Sequence, residues 1–195
     1  MTTEDAALVE RAASGDVSAF RSLYERHRAD VARLVVRMHG NRSDLEDLVQ
    51  EVFVQVHKSL RSYRRESKFS TWLHRVTVNV VLMFRRAAKS RPSLTEAIED
   101  DRAPSASQIA PDDDAARRAR FRAFQRVLDR VADKKRIVYV LHDLEGMSPA
   151  EISTIVDAPV LTVRTRLFYA RREIAELLRS EPTLAEFHVD TEDAK

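Results

Sequence analysis

The chain has no cysteine, three glycines and six prolines among 195 residues, and no stretch approaches the roughly 20 consecutive apolar residues of a bilayer-spanning helix. Without thiols, no disulfide framework, thiolate metal site or redox switch resides in the chain. Glycine is too scarce for the many tight turns of a β architecture. Gly15, Gly40 and Gly146 stand too far apart to build a glycine-rich phosphate loop. The six histidines (His27, His39, His57, His74, His142, His188) occur singly, without the paired spacing of metal ligands. No catalytic set, metal site or cofactor is therefore expected, and the chain reads as non-enzymatic. Its first residues, MTTEDAALVERAASGD, lack the basic start and apolar middle of a secretory signal. A soluble, cytoplasmic protein with no membrane insertion is expected.

What is present is charge and apolar periodicity. The chain is 44% apolar and 33% charged, a balance found in helical globular modules. The formal net charge of +2 conceals segregation. Residues 1–90 carry 16 basic and 11 acidic side chains, and residues 116–180 carry 14 and 8. Residues 91–115 hold 2 basic and 7 acidic, and residues 181–195 hold 1 and 5. Two basic blocks separated by an acidic connector fit two polyanion-facing modules on a tether, or arginine-rich helices with merely solvated faces.

In the first block, apolar residues recur at steps of three and four. One stripe runs Val17, Phe20, Leu23, Tyr24, Val31, Leu34, Val35, Met38; a second runs Leu45, Leu48, Val49, Val52, Phe53, Val56, Leu60; a third runs Phe69, Trp72, Leu73, Val76, Val80, Phe84. Three long amphipathic helices and a short leader near residues 4–13 enclose one core. Trp72 falls on the apolar stripe and reads as core. Gly40-Asn41 ends the first long helix, and Ser43 with Glu46 three residues later reads as a capping box opening the second. From Arg91 the periodicity stops, and RPSLTEAIEDDRAPSASQIAPDDD has the composition of a flexible linker.

Helical spacing resumes with Phe121, Phe124, Leu128 and Val131, then Ile137, Val138, Val140, Leu141 and Leu144. Gly146 suits a left-handed helix stop. Ser148-Pro149-Ala150-Glu151 combines a capping serine, a proline at the first helical position and the reciprocal glutamate. The short helix that follows is anchored by Ile152, Ile155 and Val156. After Asp157-Ala158, Pro159 opens a last helix with Val160, Val163, Leu167, Ala170, Ile174, Leu177 and Leu178 inward. Its outer face holds Thr162, Arg164, Thr165, Arg166, Tyr169, Arg171 and Arg172, with Leu161 the odd apolar member. Short helix, tight turn and cationic second helix define a helix-turn-helix, in which arginine pairs with guanine edges or phosphates and threonine with phosphates or thymine methyls. A basic helical hairpin packed on another protein is the blander alternative.

The stretch DLEGMSPAEISTIVDAPVLTVRTRLFYARREI (Asp143 to Ile174) resembles the region-four signature of bacterial extracytoplasmic-function (ECF) sigma factors of the sigma-70 family. DLEDLVQEVFVQVHKSL (Asp44 to Leu60) is similar to that family's core-polymerase-binding helix, and FSTWLHRVTVN (Phe69 to Asn79) to its promoter-melting segment. The resemblance implies an all-α fold of two small helical domains joined by a flexible acidic linker. Residues 1–90 would be region 2, 91–115 the linker, 116–180 region 4 and 181–195 an acidic tail.

It further implies an alternative sigma factor that directs core RNA polymerase to promoters. By resemblance, Asp44, Glu46, Asp47, Gln50 and Glu51 would dock on core RNA polymerase. Ser62, Tyr63, Arg64, Arg65 and Lys68 would capture a base flipped from the single-stranded non-template strand of the minus-ten element, with Arg75, Asn79, Arg85, Arg86 and Lys89 extending that surface. Thr162, Arg164, Thr165, Arg166, Tyr169, Arg171 and Arg172 would read duplex promoter DNA at the minus-thirty-five element. An anti-sigma factor is the further partner the family implies. Met83 departs from the aspartate the family usually places there, as do Asp157 and Ala158 from its usual turn.

Overall fold

The computed structural model describes residues 3–41, 43–90 and 111–187. Among them the only regular structure is helical: α1 (Thr3–Ala13), α2 (Val17–His39), α3 (Leu45–Ser59), α4 (Phe69–Ser90), α5 (Pro111–Arg130), α6 (Asp133–Tyr139), α7 (Pro149–Val156) and α8 (Val160–Arg179). Short tight turns cover Leu60–Ser62 and Pro182–Phe187, and α6 widens into a π-helical turn over Val140–Leu144. Most of the segment expected to be a linker lies outside the described residues, as does His188. The helix α5 begins at Pro111, inside that segment, because proline is pre-organised for a first helical turn.

Helices α1 to α4 form the first unit. Asp16 caps α2 by accepting hydrogen bonds from the Ser18 and Ala19 amides, and the Ser18 side chain, the Ala19 amide and Arg11 hold its carboxyl far below the usual range. Gly40, at φ 80°, stops α2 with its amide on the Val36 carbonyl. The start of α3 differs from the sequence expectation: Asp44 occupies the cap and makes no side-chain cap bond, while the Ser43 hydroxyl donates to the Asp44 carboxylate instead. Val17, expected in the α2 stripe, is 80% exposed because it is the first residue of its helix and the core lies further along. On α4 the buried face is rotated from the expected stripe toward Thr77 and Val81, both fully buried, and Phe84 is left exposed. Thr77 tolerates burial because its hydroxyl donates to the Leu73 carbonyl.

Helices α5 to α8 form the second unit. The capping box at Ser148 is complete: Ser148 accepts from the Glu151 amide and Glu151 accepts from the Ser148 amide, which holds the Glu151 carboxyl below its ordinary value. Ser148→Ala is expected to destabilise this unit by about 1 kcal/mol, read as a lowered denaturation midpoint with an unchanged slope. Asp157 takes the left-handed conformation at φ 49° and closes α7 on the Ser153 carbonyl, while the Ser153 hydroxyl donates to the Ala158 carbonyl. The departures at Asp157 and Ala158 therefore leave the turn intact. The first residues of the expected acidic tail fold back: Glu181 pairs with Arg126 at 2.6 Å, and Leu184 packs against the core.

The two units do not stand apart. Their buried apolar residues belong to one contiguous cluster that includes Leu34, Phe69 and Val81 from the first and Leu128, Leu141 and Ile152 from the second. The contact between units runs mainly between α4 and α7. Gly40 leaves room for Gln125 there, since a Cβ at position 40 would lie 2.9 Å from the Gln125 side-chain oxygen.

Candidate nucleic-acid interface

The last helix is fixed by the core. Val163, Leu167, Ala170 and Ile174 are buried at steps of four, three and four, so the opposite face is turned to solvent. Leu161, Arg164, Thr165, Phe168, Tyr169 and Arg172 are exposed there, while Thr162 and Arg166 are half-buried at its margin. Leu161, Thr165, Phe168 and Arg172 form one row at steps of four, three and four. Phe168 is 63% exposed and meets Tyr169 edge-on with ring centroids 5.4 Å apart. Sequence reasoning passed over Phe168, although its spacing from Leu161 and Thr165 carried the signal. Val160, expected inward, is 36% exposed because it precedes the first turn that reaches the core.

Arg171 stands apart from this row. Its guanidinium grips Asp143 in a two-pronged pair at 2.9 and 2.5 Å, with the His142 ring beside both. Burial works against the Asp143 carboxylate, but its bonds from Arg171 and His142 prevail and hold it below the usual range. Arg171 thereby ties α8 to the π-helical turn.

In the first unit, the loop between α3 and α4 rests on an aromatic wall. Tyr63 lies against Trp72 with centroids 5.1 Å apart and against Phe69 at 5.9 Å, and its hydroxyl donates to the Ser67 carbonyl at 2.5 Å. Partial burial pushes the Tyr63 phenol up against the opposing effect of Arg65. Tyr63 is thus half-buried and closes the loop on itself, and Trp72 is half-buried beside it. Ser62, Arg64, Arg65 and Lys68 project from the rim. Arg65 adopts φ 59°, a left-handed backbone rare for a long side chain, and its guanidinium reaches Glu10 at 3.4 Å. Such strain concentrates at ligand clamps.

Along α4, Arg75, Asn79 and Arg86 are exposed, with Met83 next to them at 66% exposure. The Lys89 side chain lies outside the described residues. Arg85 is different: it is buried and paired with Asp129 at 3.0 Å and Asp133 at 3.6 Å in the second unit. The structure does not bring Arg85 to the surface formed by its neighbours. On α3, Glu46, Asp47, Gln50 and Glu51 form an exposed polar face, and Asp44 at its start binds the His39 ring at 3.0 Å. Val54, 42% exposed, adds an apolar point to that face that the apolar stripe did not include. Among the described residues, no cluster of histidine and carboxylate side chains could hold a metal ion, and no helix is long and apolar enough to cross a membrane.

A helix-turn-helix with a cationic outer face, joined to a second helical unit with an aromatic-backed cationic loop, defines a two-module DNA-binding protein. Residues 23–91 match the family model for Sigma-70 region 2, and residues 121–174 match that for Sigma-70, region 4. The ECF RNA polymerase sigma-E factor of Haemophilus influenzae is 34% identical over 176 residues, spanning 87% of this chain and 93% of that protein. Its namesake in Escherichia coli K12 is 35% identical over 176 residues, spanning 87% and 92%. The solved structure of CnrH in complex with the cytosolic domain of CnrY superposes with a TM-score of 0.67 at 25% identity, covering 91% of this chain and 99% of that one. The chain belongs to the ECF sigma factors of the sigma-70 family.

Proposed function

We propose that this chain is an alternative sigma factor that directs core RNA polymerase to its promoters and opens the minus-ten element there. The reading rests most on the solvent row Leu161, Arg164, Thr165, Phe168 and Arg172, set on a helix whose other side is locked into the core. A rigid helix with two arginines and apolar contacts between them suits the major groove of a minus-thirty-five duplex. There arginine reads guanine or phosphate and an apolar side chain meets a thymine methyl.

The loop Ser62–Lys68 takes the flipped non-template base of the minus-ten element. Arg64, Arg65 and Lys68 hold phosphates, and the tyrosine that backs the loop offers a ring for stacking. Arg75, Asn79 and Arg86 continue that track along α4, and Met83 adds an apolar contact to it. The acidic face of α3 docks on core polymerase; an acidic face on a cationic module favours a basic protein surface over DNA. The polymerase performs the chemistry in the cytoplasm, and this chain supplies address and strand opening. The fold it shares with CnrH, a protein solved bound to the cytosolic domain of another, supports an anti-sigma factor as its keeper.

Transcription reconstituted from core polymerase, this chain and a promoter library tests the reading. Run-off transcripts are expected only when both proteins are present. Sequence-specific DNA binding by the chain alone, with no gain in transcription on adding core enzyme, would instead make it an ordinary helix-turn-helix regulator.

A further inference from the structure

Helix α1 precedes residues 23–91, the stretch matched to region 2, yet it is built into the loop that the reading above gives to the minus-ten strand. Val9 and Asp5 are buried on α1, which packs on α2. The Asp5 carboxylate takes Arg26 at 2.9 Å and lies 3.5 Å from the His27 ring. His27 in turn meets Phe69 edge-on at 5.2 Å, and Phe69 supports the Tyr63 and Trp72 rings of the loop's wall. Further along α1, Glu10 reaches the Arg65 guanidinium at 3.4 Å. One helix thus holds the loop twice, through the rings beneath it and through the cation on its rim.

Arg65 is a strained residue where glycine would not be. At φ 59° any side chain is disfavoured. The Glu10 pair does not offset that strain. Its two side chains are 71% and 47% exposed, and its distance exceeds the roughly 2.8 Å of a strong charge-assisted bond. A pair so solvated contributes less than a left-handed arginine costs. The guanidinium therefore suits a partner stronger than Glu10. The wall of rings beside it fits a nucleic-acid strand, whose bases stack on rings while its phosphates meet cations.

We propose that Glu10 is a positioning residue of the minus-ten site: it keeps Arg65 beside the aromatic wall and gives it up to a phosphate of the entering strand. One guanidinium exchanges a carboxylate for a phosphate, so α1 belongs to the site although it touches no base. The carboxylate also lowers the affinity of the empty loop for any polyanion, because each must first displace it. The inference rests on the sigma-factor reading for the identity of the strand, while the exchange itself is measured on the chain alone.

Binding of single-stranded oligothymidine to the full-length chain, followed by fluorescence anisotropy at several salt concentrations, tests the exchange through a double-mutant cycle. Glu10→Gln is expected to tighten binding about two- to fivefold, the size of an exposed pair. Arg65→Gly should weaken binding, lower the salt slope by about 0.7 for the one phosphate lost, and raise the urea midpoint as the strain is released. Arg65→Lys, which keeps the charge, should keep the slope. In the Arg65→Gly background, Glu10→Gln should have no effect. Equal tightening by Glu10→Gln with and without Arg65 overturns the proposal, since the carboxylate would then act only by repelling DNA. So does an Arg65→Gly variant with a lowered urea midpoint and an unchanged slope, or a wild-type chain that binds no oligothymidine at low salt. A chain that shows the coupling yet gives no transcript with core polymerase loses the sigma-factor reading and keeps the exchange.

Discussion

Replacing Asp129 and Asp133 together by alanine is expected to lower the unfolding free energy by about 3–5 kcal/mol, while Arg136→Met costs about 1 kcal/mol or less. Arg136 is the largest fully buried side chain among the described residues, at 1% exposure. Burial and the nearby Arg85 charge push its guanidinium below its ordinary range, against the pull of Asp133 and Asp129. It is kept charged by Asp129 at 3.1 Å and by a close pair with Asp133. Removing both carboxylates strands a cation in the core, and its desolvation is no longer offset. Methionine fills much of the same volume without a charge, and the freed carboxylates remain half-exposed beside Arg85. Urea midpoints of the three proteins decide the matter: an equal loss for Arg136→Met and the double aspartate variant would mean that packing by the arginine stem, and not charge pairing, holds this site.

Arg164→Ala and Arg172→Ala are each expected to weaken binding of the chain–polymerase complex to a minus-thirty-five duplex by about 1–3 kcal/mol, roughly five- to 150-fold. Both guanidiniums leave the outer face of α8, Arg172 in line with the Leu161–Phe168 row and Arg164 beside it. A base-reading arginine relaxes preference at one position of the duplex; a phosphate-reading one weakens all sequences alike and lowers the salt slope by about 1. Fluorescence anisotropy on matched and single-substituted duplexes, at several salt concentrations, separates the two roles. Arg171→Ala is expected to act differently, through loss of the Asp143 pair and a lower thermal midpoint. A full-strength binding defect in Arg171→Ala with an unchanged midpoint would place Arg171 on the DNA and make the Asp143 pair incidental.

Several features of the site were legible before any coordinates. The capping box at Ser148 and the glycine stop at Gly40 are decided by neighbours within four residues, and such rules operate inside a helix end. The exposure of Arg164, Thr165 and Arg172 followed from the apolar period of α8. Phe168 and Val54 were left out of both the apolar stripes and the polar faces: the spacing of Phe168 from Leu161 and Thr165 carried its signal, whereas the exposure of Val54 shows only once the core is packed. Ser43 was read as a cap because serine favours that role, yet the adjacent Asp44 competes for it one residue later.

The sequence by itself determined that the chain is helical, that it holds two cationic blocks, and where the last helix begins and which face it turns outward, because helix period and capping are local properties. Only the tertiary structure decided which cations are available. Arg75 and Arg85 look alike in sequence on one helix, but a small rotation of the α4 core face exposes the first and buries the second among carboxylates more than forty residues away. Arg171 and Arg172 are adjacent, yet one is committed to Asp143. An arginine's partner is chosen by which elements pack beside it, and local periodicity carries no record of that choice.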